Sequence, residues 1–363
     1  MEVRSGPNAA GNGAYGRIAR SPVGAHPLSP AASHPSGRPA ALCTVTLEDY
    51  YRSAALRPWI RAETWYRFDS RLEASTARTL EFLTSCQAQA TFFIAADLVA
   101  EMPGLVREIC GAGHEVAVAG DPRVPAASLG RSKAARELVR WREELEQVSG
   151  QRVYGFRSAA RWLGPADLWL LDVIAESGYA YDSSTRPALL SDPLGRRRTG
   201  RRSVLRLANG LSEVAISSVG VWGLRVPIGG GSVFRLLPWG SLRRAIAHHA
   251  GDSGQPYVMH IRTWELDPDQ PQIRGTSAVA RLRHYRNLDR MSARLRDVLV
   301  ARRCSSIASH LALRPAELAV HESSNGSPAK HRRPDLLARS PQQPARPTHR
   351  SAHMVTRRSW VRW

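Results

Sequence analysis

The chain has almost no lysine. Of its 363 residues 51 are Lys or Arg, and only Lys133 and Lys330 are lysines, so arginine supplies nearly all of a formal net charge of +20. Nucleic-acid surfaces usually mix both cations, so the excess reads first as a coding bias towards arginine and second as a polyanion-binding surface. Cysteine is scarce as well. Cys43, Cys86, Cys110 and Cys304 stand far apart, with no CxxC pair and no Cys/His zinc spacing. That argues against a disulfide scaffold or zinc ribbon and leaves buried, reduced thiols. Long apolar runs are missing. The N-terminal stretch has no secretory-type apolar segment. The most apolar run, residues 90–100, contains Asp97 and is about half the roughly 20 residues that a membrane span needs. The expectation is a soluble, cytoplasmic protein with no membrane insertion.

What is present fits a folded core. Hydrophobic residues make up 43% of the chain, which excludes a wholly disordered or collagen-like protein, and the length allows one large domain or two modest ones. Residues 1–41 are rich in Gly, Pro, Ala and Ser with a net charge of +3; residues 321–363 carry +7 with repeated Pro. Neither end has helical or strand periodicity, so both read as disordered tails. The remaining 42–320 carries +10, so half of the excess lies in the tails. Such a tail is a solvated segment or a contact for an anionic polymer, and nucleic acid is the least favoured partner.

The middle alternates strand-like and helix-like segments. Leu42–Leu47, Ala90–Ile94, His114–Ala119, Val153–Arg157, Ser212–Ile216 and Tyr257–Ile261 are β-rich runs. Between them, Leu72, Thr76, Leu80 and Leu83, then Leu138, Trp141, Leu145 and Val148, recur at helical steps, and 242–249 also reads as helix. Residues 280–300 read as one basic helix with Leu282, Tyr285, Leu288, Leu295 and Val298 on one face. This alternation predicts parallel strands with crossover helices, an α/β sheet or barrel. Functional groups then collect where strands end. The first strand ends in Glu48-Asp49, two carboxylates that point different ways, so that one could hold a metal while the other moves protons; a solvated turn or helix cap is the plainer alternative.

The order and content of the strand ends resemble the polysaccharide deacetylase family, the NodB-homology proteins. The matching runs are Thr46-Leu47-Glu48-Asp49, Ala90-Thr91-Phe92-Phe93, Gly113-His114-Glu115 and Gly178-Tyr179 through Tyr181-Asp182-Ser183-Ser184. Further runs resemble a branch found in exopolysaccharide loci together with exosortases: Pro227-Ile228-Gly229-Gly230-Gly231, Phe234-Arg235-Leu236-Leu237-Pro238, Trp264-Glu265 with Asp267-Pro268-Asp269-Gln270-Pro271, and Arg283-His284-Tyr285-Arg286-Asn287-Leu288-Asp289. The resemblance covers about Thr44 to Leu313. It implies a distorted (β/α) barrel over 42–270, a helical C-terminal extension over 271–320, and a polysaccharide or N-acetylated sugar as substrate or ligand. It further implies a zinc-like divalent metal held by one Asp and two His, which activates water to hydrolyse the acetamide.

Carried over residue by residue, the family's site is incomplete. Glu48 falls at the base position and Asp49 at the metal-ligand position, but the two metal histidines correspond to Ala119 and Arg123. Arg157 is kept with Ala159 in place of a Pro, and the catalytic histidine corresponds to Arg262, with Thr263 in place of the next Pro. His260 lies two residues earlier, on the same strand face. These replacements imply that metal-dependent hydrolysis is impaired or lost and that no cofactor is needed.

Three readings follow. The first is an active deacetylase using Glu48, Asp49 and Arg157 with His260 or His114 recruited. The second is a non-catalytic sugar-binding or assembly protein of exopolysaccharide production, in which Arg123 or Arg262 pairs with Asp49 or Glu48 and the cleft binds a sugar through Trp162 or Trp264, or an anionic one through Arg157. The third is a polyanion binder. Asp182 either orients Arg157 or caps a turn. His248-His249 reads as a polar helix end, Gly229-Gly230-Gly231 as a branch signature of unknown role, and the arginines of 196–206 as a solvated loop.

Overall fold

The computed structural model describes residues 25–26, 40–159, 162–185, 202–221, 224–253 and 255–313. The segment read as a C-terminal tail lies outside them, as do most of the N-terminal one and the first half of the arginine run at 196–206. Strand structure nevertheless reaches into the N-terminal segment: β1 is Ala25–His26, and β2 begins at Ala40.

The β-branched and aromatic runs form a sheet whose central strands are parallel. They are β2 (Ala40–Leu47), β3 (Thr91–Ala95), β4 (Glu115–Ala119), β5 (Gly155–Arg157), β6 (Tyr181–Asp182) and β8 (Ser212–Val214), while β7 (Val204–Leu207) lies antiparallel between β8 and β1. A separate pair, β9 (Ser218–Val221) and β10 (Leu224–Pro227), is antiparallel. The main sheet is completed by β11 (Tyr257–Arg262) and β12 (Arg303–Ser305). Its order is β1-β7-β8-β6-β5-β4-β3-β2-β11, and it curls into an open (β/α) barrel. Strands such as β3 are buried on both faces, which is why they read as continuous apolar runs rather than alternating ones.

β2 has three partners. β11 runs along one edge from Ala41 to Thr46; on the other, β12 takes Ala40–Leu42 and β3 takes Thr44–Leu47. The segment read as a C-terminal extension therefore supplies a strand to the same sheet. The free edge of β11 is covered by the chain at Ser217 and Gly229–Gly230, through Ser217 N–H to Val258 O and His260 N–H to Gly229 O.

The helices are α1 (Leu72–Ser85), α2 (Ala96–Glu101), α3 (Pro103–Gly111), α4 (Arg131–Ser149), α5 (Trp169–Glu176), α6 (Gly231–Leu236), α7 (Trp239–Ser253), α8 (Ala278–Tyr285), α9 (Met291–Val300) and α10 (Ile307–His310). No helix among the described residues is long and apolar enough to cross a membrane. The single helix expected over 280–300 is two, α8 and α9. Arg235 Nη1 donates to the carbonyls of Arg283 and His284 and so ends α8, while Asn287 takes a left-handed conformation (φ 54°) and donates to Arg235 O. Leu282, expected on the packed face, is 49% exposed; Leu288, Leu295 and Val298 are buried. His249 is not a polar helix end either. It is buried edge-on to Tyr257, and α7 continues to Ser253. The four thiols are free, Cys43 and Cys86 buried and the other two half-buried.

The closed end of the barrel is tied by the Glu115 carboxylate, which accepts from Thr91 Oγ1 (2.5 Å), Tyr181 OH (2.7 Å) and Ala308 N (3.0 Å). Tyr181 reaches it by crossing the place where a side chain at 155 would be; a Cβ there would run into the Tyr181 ring. Gly155→Ala is expected to destabilise the protein by about 1–3 kcal/mol, the usual cost of overpacking. Urea unfolding checks this.

Candidate functional site

At the open end of the barrel, strand β2 delivers Glu48 and Asp49. Asp49 is buried and turned into the chain: it accepts from Tyr50 N (3.2 Å), Ser70 Oγ (2.6 Å) and Arg71 N (3.2 Å), capping the 3-10 turn Tyr50–Arg52 and fixing the loop before α1. Burial raises its pKa, with the three donors pulling the other way.

Glu48 faces β11, where Arg262 Nε donates to its Oε2 at 2.7 Å. Thr263 clamps the Glu48 backbone, its hydroxyl donating to Glu48 O (2.9 Å) and accepting from Glu48 N (3.2 Å). A proline could not do this. Burial raises the Glu48 pKa against the pull of Arg262; burial opposes the Arg262 charge too, but Glu48 and Glu265 outweigh it and its pKa rises. The expected arginine–carboxylate pair is thus Arg262 with Glu48. Arg123 does not take part. It donates to Asp121 and lies 3.9 Å from Asp97, which Arg52 engages at 2.8 Å.

Arg157 is 4% exposed. Its Nε donates to Ser183 O (3.2 Å), Nη2 to Ser183 Oγ (2.8 Å) and Thr44 Oγ1 (3.1 Å), and Nη1 to His260 Nδ1 (2.7 Å), with the guanidinium 3.9 Å over Phe93. None of these partners is an anion, and burial lowers its pKa to about 9. His260 is held neutral, first by burial and then by Arg157 and Arg262.

Asp182 caps a turn rather than orienting Arg157. Its oxygens accept from Ser184 N (2.9 Å) and Ser184 Oγ (2.6 Å), and the neighbouring Ser183 holds the arginine. Beside Asp182 on β8 stands Glu213, fully buried like it. Thr185 donates to Glu213 Oε1 through N (3.0 Å) and Oγ1 (2.7 Å), while buried Oε2 receives no donor. Two adjacent buried carboxylates cannot both ionise. The proton stays on Glu213, whose pKa is pushed well up by burial and by the Asp182 charge, and is donated to Asp182.

The aromatic candidates separate. Trp162 is half-buried in the loop after β5. Trp264 is buried, stacked on His284 at 4.1 Å with Arg235 5.1 Å from its ring, so it is no platform for a sugar. His114 lies where β4 begins, at the opposite end of the barrel from Glu48, accepting from Ala90 N; it is not recruited. The glycine run packs rather than cradles. A Cβ at 229 would strike Val258 O, and one at 231 would strike the Glu265 carboxylate.

A metal held as the resemblance implies does not fit these residues. Asp49's oxygens already accept three hydrogen bonds, Ala119 offers a buried methyl group, and Arg123 offers a cation. A zinc site needs three or four protein ligands, and among the described residues no three His, Cys, Asp or Glu side chains converge on one point.

Residues 62–163 match the family model for polysaccharide deacetylase, and residues 183–312 match a model described as a domain of unknown function, DUF3473. Residues 62–163 thus carry a polysaccharide deacetylase family domain. A solved structure from Mycobacterium smegmatis, assigned as a polysaccharide deacetylase, aligns with TM-score 0.50 and 19% identity over 86% of this chain and 100% of that one, a likeness of fold. A family 4 carbohydrate esterase from Streptomyces lividans in complex with acetate has TM-score 0.39 and 15% identity over 77% of this chain and 98% of that one. A CE4 family pseudoenzyme from Bacillus anthracis has TM-score 0.35 and 14% identity over 78% and 69%. No curated protein matches the chain.

Thr44, Ser183, Glu213 and Arg235 were not singled out for these roles by the sequence; Asp182 and Ser183 lie inside a motif, but Glu213 is recognisable only once β6 and β8 are paired. Because folded Glu213 keeps a proton that the unfolded chain releases above its ordinary value of 4.5, stability falls as pH rises past that point. Glu213→Gln supplies the same donor to Asp182 without titrating. Urea unfolding from about pH 5 to about pH 8 is expected to show this variant gaining on the wild type as pH rises.

Proposed function

We propose that this member of the polysaccharide deacetylase family has given up metal-dependent hydrolysis and serves as a sugar-binding or assembly protein in exopolysaccharide production, with a deacetylase-like domain over 42–270 and a C-terminal extension over 271–320. The observation that carries the reading is the Arg262–Glu48 ion pair. In the family chemistry that the resemblance implies, Glu48 is the base and position 262 supplies the proton. Here a guanidinium occupies position 262, holds the base carboxylate, and cannot act as an acid near neutral pH. Ala119 and the outward-turned Arg123 support the same conclusion for the metal. The runs around Gly229–Gly231, Trp264-Glu265 and Asn287, which resemble the exopolysaccharide-locus branch, support the biological setting.

The test is metal analysis and zinc calorimetry on the purified full chain, with acetate release from N-acetylglucosamine oligomers under added zinc, cobalt or manganese. Substoichiometric metal and no acetate above the blank are expected. Tight, stoichiometric zinc that Asp49→Ala abolishes, or metal-dependent acetate release, would overturn the proposal.

A further inference from the structure

We propose that the open end of the barrel takes an acidic sugar, bound through its anionic oxygens by Arg262, by the buried Arg157 and by the Nε2–H of His260. This rests on the non-catalytic reading above and names its ligand.

The argument begins with charge. Arg157 is buried, and each of its four hydrogen bonds ends on a neutral acceptor. The nearby carboxylates are engaged elsewhere: Asp49 by Tyr50, Ser70 and Arg71, Asp182 by Ser184 and the Glu213 proton, Glu265 by Arg235, Asp97 by Arg52. Among the described residues Glu48 is the carboxylate paired with the Arg262 guanidinium, and no carboxylate is in contact with Arg157. A buried cation with no anion in contact is costly, and a low-dielectric wall focuses its field outward to where an anion can approach.

The donors are also fixed in direction. The Thr44 hydroxyl gives its proton to Met259 O (2.8 Å) and Arg157 Nη1 donates to His260 Nδ1, so the proton of neutral His260 sits on Nε2. Nε2 has no acceptor among the described residues and is not closed off from solvent. Arg262 spends Nε on Glu48, its two terminal nitrogens have no acceptor among the described residues, and its side chain is 25% exposed. His260 is flanked by both arginines, each of which presses on its charge. Planar guanidinium N–H groups on either side of a neutral imidazole N–H suit the paired oxygens of a sugar carboxylate, or those of an ester sulfate. The acetamide carbonyl of an N-acetylated sugar brings one neutral oxygen and leaves the field unbalanced.

The experiment is calorimetric titration of the full chain with four probes: a galacturonic acid oligomer, its methyl ester, a sulfated oligosaccharide and an N-acetylglucosamine oligomer. It is repeated on Arg262→Gln and Glu48→Gln, with thermal melts confirming that both are folded. The expected result is that an acidic oligomer binds at least about tenfold tighter than the neutral ester, that Arg262→Gln weakens it about tenfold, and that Glu48→Gln tightens it several-fold. The last change cannot come from unfolding. Preference between uronate and sulfate assigns the oxyanion. Acidic binding that neither substitution alters would place the affinity on arginine-rich segments elsewhere and overturn the inference. Equal or better binding of the neutral N-acetylated oligomer would overturn it too, while leaving the non-catalytic reading standing. No binding of any probe by folded protein would overturn both the acidic ligand and the sugar-binding role, whereas stoichiometric zinc with acetate release would overturn the parent reading alone.

Discussion

The arrangement of the open end depends on one buried ion pair. Glu265 is wholly buried just after β11, and a carboxylate there has to be matched inside the protein. Arg235 matches it, donating from Nε (3.2 Å) and Nη2 (3.0 Å) to Oε1, while Oε2 accepts the Arg262 backbone N–H (3.1 Å). The same guanidinium takes the last carbonyls of α8 and lies near the Trp264 ring. One pair thus joins α6, the end of β11 and α8, and it sets where the Arg262 side chain begins. Removing one partner from such a pair typically costs about 3–5 kcal/mol. Gly231 is part of the same constraint, because any side chain there would displace the Glu265 carboxylate. Many of the motifs peculiar to residues 227–289 are accounted for by this one electrostatic requirement.

Above that frame the proposed reading replaces a metal ion with guanidinium groups. A divalent cation with histidine ligands polarises carbonyls and lowers the pKa of bound water. A guanidinium brings positive charge and directed donors but no open coordination position and no proton to give. With Arg262 on Glu48 and Arg157 on Thr44, Ser183 and His260, the site holds positive charge and directed hydrogen-bond donors, and on the proposed reading these serve in place of water activation. That combination is suited to recognition.

The fold was legible because its strands are short apolar runs separated by amphipathic helices, and most fall within a few residues of the expected places. The Arg262–Glu48 pair was legible only as one of four, Arg123 or Arg262 with Asp49 or Glu48, and the pairing of β2 with β11 selects it by bringing positions 48 and 262 to one end. What the sequence could not convey depends on side chains meeting across large separations. Trp264 looks like a sugar platform until His284 is found stacked on it. Asp182 and Glu213 become a proton-sharing pair only when β6 lies beside β8. Residues 280–300 have the period of one helix, and the break follows from Arg235 capturing the carbonyls at 283 and 284, a contact 48 residues away in the chain. Local pattern carries backbone geometry well and buried electrostatics poorly.

The placement of β2 has a consequence for how the protein is made. It is the first long strand to leave the ribosome, yet Thr44 donates to Met259, 215 residues later, and β12 joins the same strand only at Arg303–Ser305. At about 5–20 residues per second, roughly 10–40 s of synthesis separate β2 from its partner β11. Over that interval an apolar edge with unpaired backbone groups is open to any other strand. Pairings this distant also slow the folding step itself. Shortening the chain from the C-terminus past Arg303 removes β12, a strand paired directly with β2, rather than trimming an appendage.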